Sequence, residues 1–132
     1  MALLREYKEI AYQWGIWKTE ESPEELLALL PDPERYEQQL TLFSSPHRKL
    51  EWLSVRVLLY QLLGEEKTIE YAPSGKPHLA DSSYFISISH TRGYVAVILS
   101  PVSEVGIDIE QYGQRVHKVA HKYMRPDELI SE

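Results

Sequence analysis

Three β-rich runs in close succession, "YFISISH", "YVAVILS" and "EVGIDIE", constrain this chain more than any other feature. They are separated only by Thr91–Gly93 and by Pro101–Ser103. Connections that short leave no room for crossover helices, so the spacing predicts an antiparallel meander. The third run raises a chemical question. In an extended chain Val105, Ile107 and Ile109 share one face, while Gly106, Asp108 and Glu110 share the other. Two carboxylates two residues apart have Cα atoms about 7 Å apart, close enough for their heads to converge on one hard cation such as Mg²⁺, Mn²⁺ or Ca²⁺. The plain alternative is a half-exposed strand whose polar face is simply solvated.

Ahead of these strands the same start signal occurs three times. "SPEE" at Ser22, "DPER" at Asp32 and "SPHR" at Ser45 each place an N-cap residue before a proline suited to the first helical turn. Three helices are therefore expected. In the third, Leu50, Leu53, Val57, Leu58 and Leu62 recur at helical spacing until Gly64 ends the run, and the opposite face carries His47, Arg48, Glu51 and Arg56. The opening, Leu3 to Trp17, reads as a strand containing Gly15, with a helical alternative for Arg5–Ile10. "KTIEYAPSGKPHLA" reads as a short strand followed by a turn at Pro73, Gly75 and Pro77. The segment "QRVHKVAHKYMRPDELISE" is expected to be helical to about Tyr123, with a further helix starting at Pro126, Asp127 and Glu128.

A chain of 132 residues, 43% hydrophobic and 26% charged, has the composition of one globular domain with a real core. It contains no cysteine, which excludes disulfides and thiolate metal sites. No run approaches the roughly 20 apolar residues of a membrane span, and the start lacks a signal-peptide pattern, so a cytoplasmic protein is expected. The net charge of −6 argues against general nucleic-acid binding. Charge is uneven, however: residues 1–40 balance to −5, residues 41–100 to +1 and residues 101–132 to −2. An anion site is best sought in the middle segment.

That segment offers candidates, each with an ordinary alternative. Lys76 sits between Gly75 and Pro77 in a stiff turn, where a surface lysine is the plain reading. Ser89, His90, Thr91 and Arg92 cluster at a strand end and make a plausible phosphate cradle or a mere turn. Arg56 reads in isolation as a solvated arginine. His117 and His121 are four apart on the expected helix, yet no glutamate follows His117 and no cysteine exists, so a solvated or partly packed helix face is preferred over a zinc site. Neither a nucleotide-binding glycine loop nor a nucleophile elbow is present.

Taken in order, "RKLEWLSVRVLL", "SGKPHL", "FISISHT", "VGIDIE" and "KVAHKYMRPDEL" resemble the motif series of the 4′-phosphopantetheinyl transferases, of the type that activates peptide and polyketide synthetases. The resemblance runs from about Arg48 to the end. It implies that Asp108 and Glu110 bind Mg²⁺ together with the pyrophosphate of coenzyme A. It implies that Lys76, Ser89 and His90 contact the phosphates, His90 the 3′-phosphate, with Arg48 and Arg56 as a looser match on the preceding helix. The partners it implies are coenzyme A and an acyl or peptidyl carrier protein whose serine receives the phosphopantetheine.

Such enzymes are built from two similar α/β halves, and the second brings a WxxKE motif whose Glu completes the metal site and is a candidate serine-activating base. This sequence contains no such motif. The expectation is therefore an α+β fold, a small antiparallel sheet packed with helices, forming one half of that pseudo-dimer. Residues 1–115 would be the N-terminal subdomain, and residues 116–132 a linker helix leading into a truncated second subdomain. A half standing alone would expose an apolar face and self-associate as a homo-oligomer. The competing functions are a coenzyme A or carrier-protein binding module without turnover, and a structural domain whose "GIDIE" face merely meets solvent.

Overall fold

A computed structural model describes residues 3–8, 12–112, 115–122 and 129–131. The opening segment forms a hairpin of two strands, β1 (Leu3–Lys8) and β2 (Gln13–Lys18), where the sequence reads as a single strand from Leu3 to Trp17, and Arg5–Lys8 is extended rather than helical. Three helices follow: α1 (Pro23–Ala28), α2 (Glu34–Leu40) and α3 (Pro46–Leu63). Ser22 caps α1 in a reciprocal box with Glu25, and Ser45 accepts from the Arg48 N–H at the start of α3. The middle signal is read one residue differently. Pro33, not Asp32, occupies the N-cap of α2 and makes no side-chain cap, while the Asp32 carbonyl accepts from the Arg35 N–H in a tight first turn.

Helix α3 carries the core. From Leu53 to Leu59 every residue is buried, and Ser54 is accommodated by a 2.8 Å hydroxyl pair with Thr19. Gly64 ends the helix in the left-handed region, at φ 74°, where its N–H reaches the Tyr60 carbonyl. A small hairpin, β3 (Ile69–Tyr71) and β4 (Pro77–Leu79), follows across the Pro73–Lys76 turn.

The central strand is β6 (Tyr94–Ser100), flanked by β2 on one side and by β5 (Phe85–Thr91) on the other, all antiparallel, in the order β1-β2-β6-β5. Both faces of β6 are covered, which explains why "YVAVILS" is apolar without alternation. Val95, Val97 and Leu99 join α3 in one core cluster, while Ala96 and Ile98 join Trp14 and Ile16 in a second. The apolar face of β7 (Val105–Tyr112), made of Val105, Ile107 and Ile109, closes that second cluster. Small antiparallel sheets packed by helices give the α+β class that the sequence implied.

Two expectations are corrected. The β5–β6 hairpin is present, but β7 does not extend it as a third meander strand, because β2 already occupies the other edge of β6. Instead β7 packs against β5 and β6, and its Ile107 and Ile109 N–H groups donate to the hydroxyls of Ser87 and Ser89. The second correction concerns the run after Gly113. Arg115–Lys122 is a strand, β8, antiparallel to β7, and Leu129–Ser131 adds β9 beside it. The run has β-branched Val116 and Val119 and no cap-and-proline start signal. Its helical propensity is a weak prior that loses to pairing with the open edge of β7. The expected helix start at Pro126, Asp127 and Glu128 lies outside the described residues. Lys118 is buried on β8 with its ammonium 3.8 Å from the Trp14 ring centroid.

Candidate functional site

A cavity of about 510 Å³ lies where α3, the β3–β4 hairpin and the end of β5 meet. Phe43, Trp52 and Tyr71 give it aromatic walls, and Ile88 and Val95 form part of its floor. Its lining includes the guanidinium side chains of Arg48 and Arg56 from α3 and the imidazole of His90 from β5. Eight residues apart on a helix is a little over two turns, so Arg48 and Arg56 lie close to one stripe. The strand pairing then sets His90 opposite Val95 on the same side of the sheet as that stripe.

Arg56 is only 6% exposed, which departs from the solvated arginine of the plain reading. Its guanidinium stacks on Trp52 with 4.0 Å to the ring centroid, donates to the Trp52 carbonyl and bonds the Tyr71 hydroxyl, each at 3.3 Å. Burial pulls it below the ordinary arginine value, and Tyr71 opposes that shift. A guanidinium stays charged under such conditions, so the cavity holds a fixed cation with desolvated walls. Arg48 is looser, 5.7 Å from the Phe43 ring centroid.

Glu51 is the cavity's anion. Its Oε2 lies 2.9 Å from Nδ1 of His90 and 3.5 Å from Nε2 of His47. The sequence placed Glu51 on the polar face of α3 but gave it no role, and it gave none to Trp52 or Tyr71. The signal available was the helical spacing of Trp52 and Arg56, an i, i+4 aromatic and cation pair.

The remaining candidates are distributed differently. Gly75 and Pro77 line the cavity, but Lys76 between them turns away: its ammonium pairs with Glu104 at 3.3 Å, beside a separate space of about 270 Å³. Gly75, at φ 90°, is what permits that turn. Ser89 is committed to β7 by accepting from the Ile109 N–H, which seats the strand of the two carboxylates next to the strand of His90. Asp108 and Glu110 are both exposed while Val105, Ile107 and Ile109 are buried, as the alternation predicts.

Among the described residues no group of three or more His, Asp or Glu side chains is placed to hold a metal ion. Two hard oxygen donors on one strand face suit a cation such as Mg²⁺, which keeps several waters and takes other oxygens from phosphate. His117 and His121 stand opposite Glu110 and Gly106 in the β7–β8 register, and on a strand their Cα atoms are about 13 Å apart, so the helical argument for a shared metal does not apply.

No family model matches the chain. Over 64 residues, 48% of this chain, it is 38% identical to the 4′-phosphopantetheinyl transferase AcpT of Salmonella typhi, and the same identity, length and coverage hold for that of Escherichia coli (strain K12). The matched stretch spans 33% of the length of each of these curated relatives. Over about half of its own length the chain is thus similar to 4′-phosphopantetheinyl transferases, in agreement with the resemblance of its motifs.

Proposed function

We propose that this chain supplies the coenzyme A and metal side of a 4′-phosphopantetheinyl transferase. One observation carries the reading: Arg48, Arg56 and His90, contributed by two separate elements, line a single cavity walled by aromatic rings in a chain related to such transferases. Aromatic faces suit a nucleotide base, and the cations suit its phosphates. In the reaction the carrier-protein serine oxygen attacks the β-phosphorus of coenzyme A. The bond to the bridging oxygen breaks, 3′,5′-ADP leaves, and the serine proton passes to a base. Asp108 and Glu110 would hold Mg²⁺, which supplies charge neutralisation on the pyrophosphate when bound.

The remaining residues divide the work. His90 and the two arginines bind and orient phosphate groups, and Lys76 exchanges Glu104 for a phosphate oxygen when ligand arrives. The protein would act in the cytoplasm, and no helix among the described residues is long and apolar enough to cross a membrane. Calorimetric titration with coenzyme A, with and without Mg²⁺, tests the reading. Saturable binding that Mg²⁺ strengthens supports it, and the absence of any coenzyme A binding in the presence of Mg²⁺ overturns it. A binding module without turnover is favoured as second reading by the lack of a WxxKE motif in the sequence, and transfer of a labelled pantetheine arm to an apo carrier protein separates the two.

A further inference from the structure

The three aromatic rings that wall the cavity are not equally available to a ligand. Trp52 has the Arg56 guanidinium over one face at 4.0 Å from its centroid, Tyr36 edge-on at 5.9 Å and Phe43 tilted at 6.0 Å. Phe43 leans on Trp52 and has the Arg48 guanidinium 5.7 Å from its own centroid. Tyr71 differs. The Arg56 guanidinium carbon is 6.0 Å from its ring centroid, too far to cover a face, because Nη2 meets the hydroxyl end of the ring and donates to it at 3.3 Å. Tyr71 is accordingly 51% exposed, a large apolar surface left open beside a buried cation. The hairpin explains why the ring stands there. Ile69 and Leu79 pair across β3 and β4, and both are buried in the core cluster with α3. Two residues away on each strand, Tyr71 and Pro77 are the next pair on that face, and both line the cavity. The packed face of the hairpin thus continues past the core into open space.

We propose that Tyr71 is the platform on which the adenine base of the ligand stacks, and so the residue that makes the cavity prefer a nucleotide to a bare phosphate. The inference rests on the coenzyme A reading of the cavity and assigns the base its place within it. A purine is a flat, polarisable ring system that gains from lying on an aromatic face. Phosphates attached to a base on Tyr71 enter the space that Arg48, Arg56 and His90 line. The bond from Arg56, which is itself buried against Trp52, holds the far end of the Tyr71 ring before any ligand arrives. Less side-chain freedom is then lost on binding than for a loose surface tyrosine.

The test uses two probes, adenosine 3′,5′-bisphosphate and the same sugar bisphosphate without its base. In NMR of the wild-type complex, the adenine H2 and H8 protons are expected to show nuclear Overhauser contacts to the Tyr71 ring and to move upfield. Y71A should weaken adenosine 3′,5′-bisphosphate about 10-fold and the base-free probe less than about 2-fold, since only the first loses a stacked ring. Y71F gives up the bond from Arg56 but keeps the face, and should stay within about 3-fold of wild type. Equal losses for the two probes in Y71A, a loss in Y71F as large as in Y71A, or a bound adenine without contacts to Tyr71 overturns the proposal. The wild-type contacts decide the matter if Y71A does not fold. Coenzyme A that binds without placing its adenine on Tyr71 overturns the platform and leaves the coenzyme A reading in place. Adenosine 3′,5′-bisphosphate that stacks on Tyr71 in a protein that takes no coenzyme A does the reverse, and failure of all three ligands to bind overturns both.

Discussion

Trp52 holds Arg56 twice over: its ring lies 4.0 Å under the guanidinium, and its carbonyl accepts from Nη1 at 3.3 Å. A residue one turn earlier on the same helix thus fixes both the face and one edge of the cation, and the Tyr71 hydroxyl takes another edge. Lysine can reproduce neither the stacking nor the fork. Arg56→Lys is therefore expected to leave α3 folded but to weaken coenzyme A about 10-fold, whereas Arg56→Ala also leaves space beside Trp52 and lowers stability by roughly 1–3 kcal/mol. Calorimetry and urea denaturation separate the two effects. Equal affinity of the lysine variant and wild type would remove Arg56 from the binding surface.

Much of this was written in the local sequence, and the reasons are specific. Ser22, Ser45 and Gly64 announce helix ends because their side chains or backbone freedom act within a few residues. Val105, Ile107 and Ile109 announce a buried face because strand alternation is also local. What escaped depends on partners far along the chain. Arg56 is buried because Tyr71 and Trp52 close over it, and no spacing within α3 states that. Arg115–Lys122 is a strand because β7 has an edge to offer, and Lys118 is buried because Trp14 lies beneath it. Lys76 pairs with Glu104, a residue of another loop, so its direction was invisible in the "SGKPHL" turn.

The carboxylates of β7 make the next prediction. Asp108 and Glu110 are exposed, so amide replacements should have little effect on packing. The double variant Asp108→Asn, Glu110→Gln is expected to stay folded and to lose the gain in coenzyme A affinity that Mg²⁺ brings. An undiminished Mg²⁺ effect in titration of that variant would dismiss the pair as ligands.

Stability should fall at both pH extremes for identifiable reasons. The hydrogen bond from Lys67 first, and those from Ser83 next, hold Asp81 well below the usual carboxylate range. A depressed folded value means a contribution present above the unfolded value, about 4, and lost as pH falls below it. Asp81→Asn should flatten the acid limb of stability against pH. Tyr36 behaves oppositely: burial chiefly, then the Glu66 carboxylate, pushes its phenol up to about 12. A folded value raised in this way gives stability that is complete below the unfolded value of about 10 and lost as pH rises from there towards 12. Tyr36→Phe should remove that alkaline loss. Denaturation midpoints at a series of pH values decide both, and parallel curves for variant and wild type would refute the assignment.

Binding and turnover should part company in this chain. Binding asks for positive groups around the phosphates and a few hard oxygens for Mg²⁺, the roles proposed above for Arg48, Arg56, His90, Asp108 and Glu110. Transfer asks for more: the serine hydroxyl must lie in line with the β-phosphorus, with a base within hydrogen-bond reach of its proton. The WxxKE motif, whose Glu is the candidate base in enzymes of this resemblance, does not occur in the 132 residues. Nor do the described residues place a third carboxylate or imidazole with the β7 pair. A general base is worth about 100- to 10,000-fold in rate, and loss of the in-line geometry compounds it. The 132-residue chain alone is therefore expected to bind coenzyme A with Mg²⁺ yet load an apo carrier protein at least about 1,000-fold more slowly than a transferase that carries the motif. Mass measurement of the carrier protein over time reads this directly. Loading at an ordinary enzymatic rate by the purified chain would mean that a residue of this chain serves as the base.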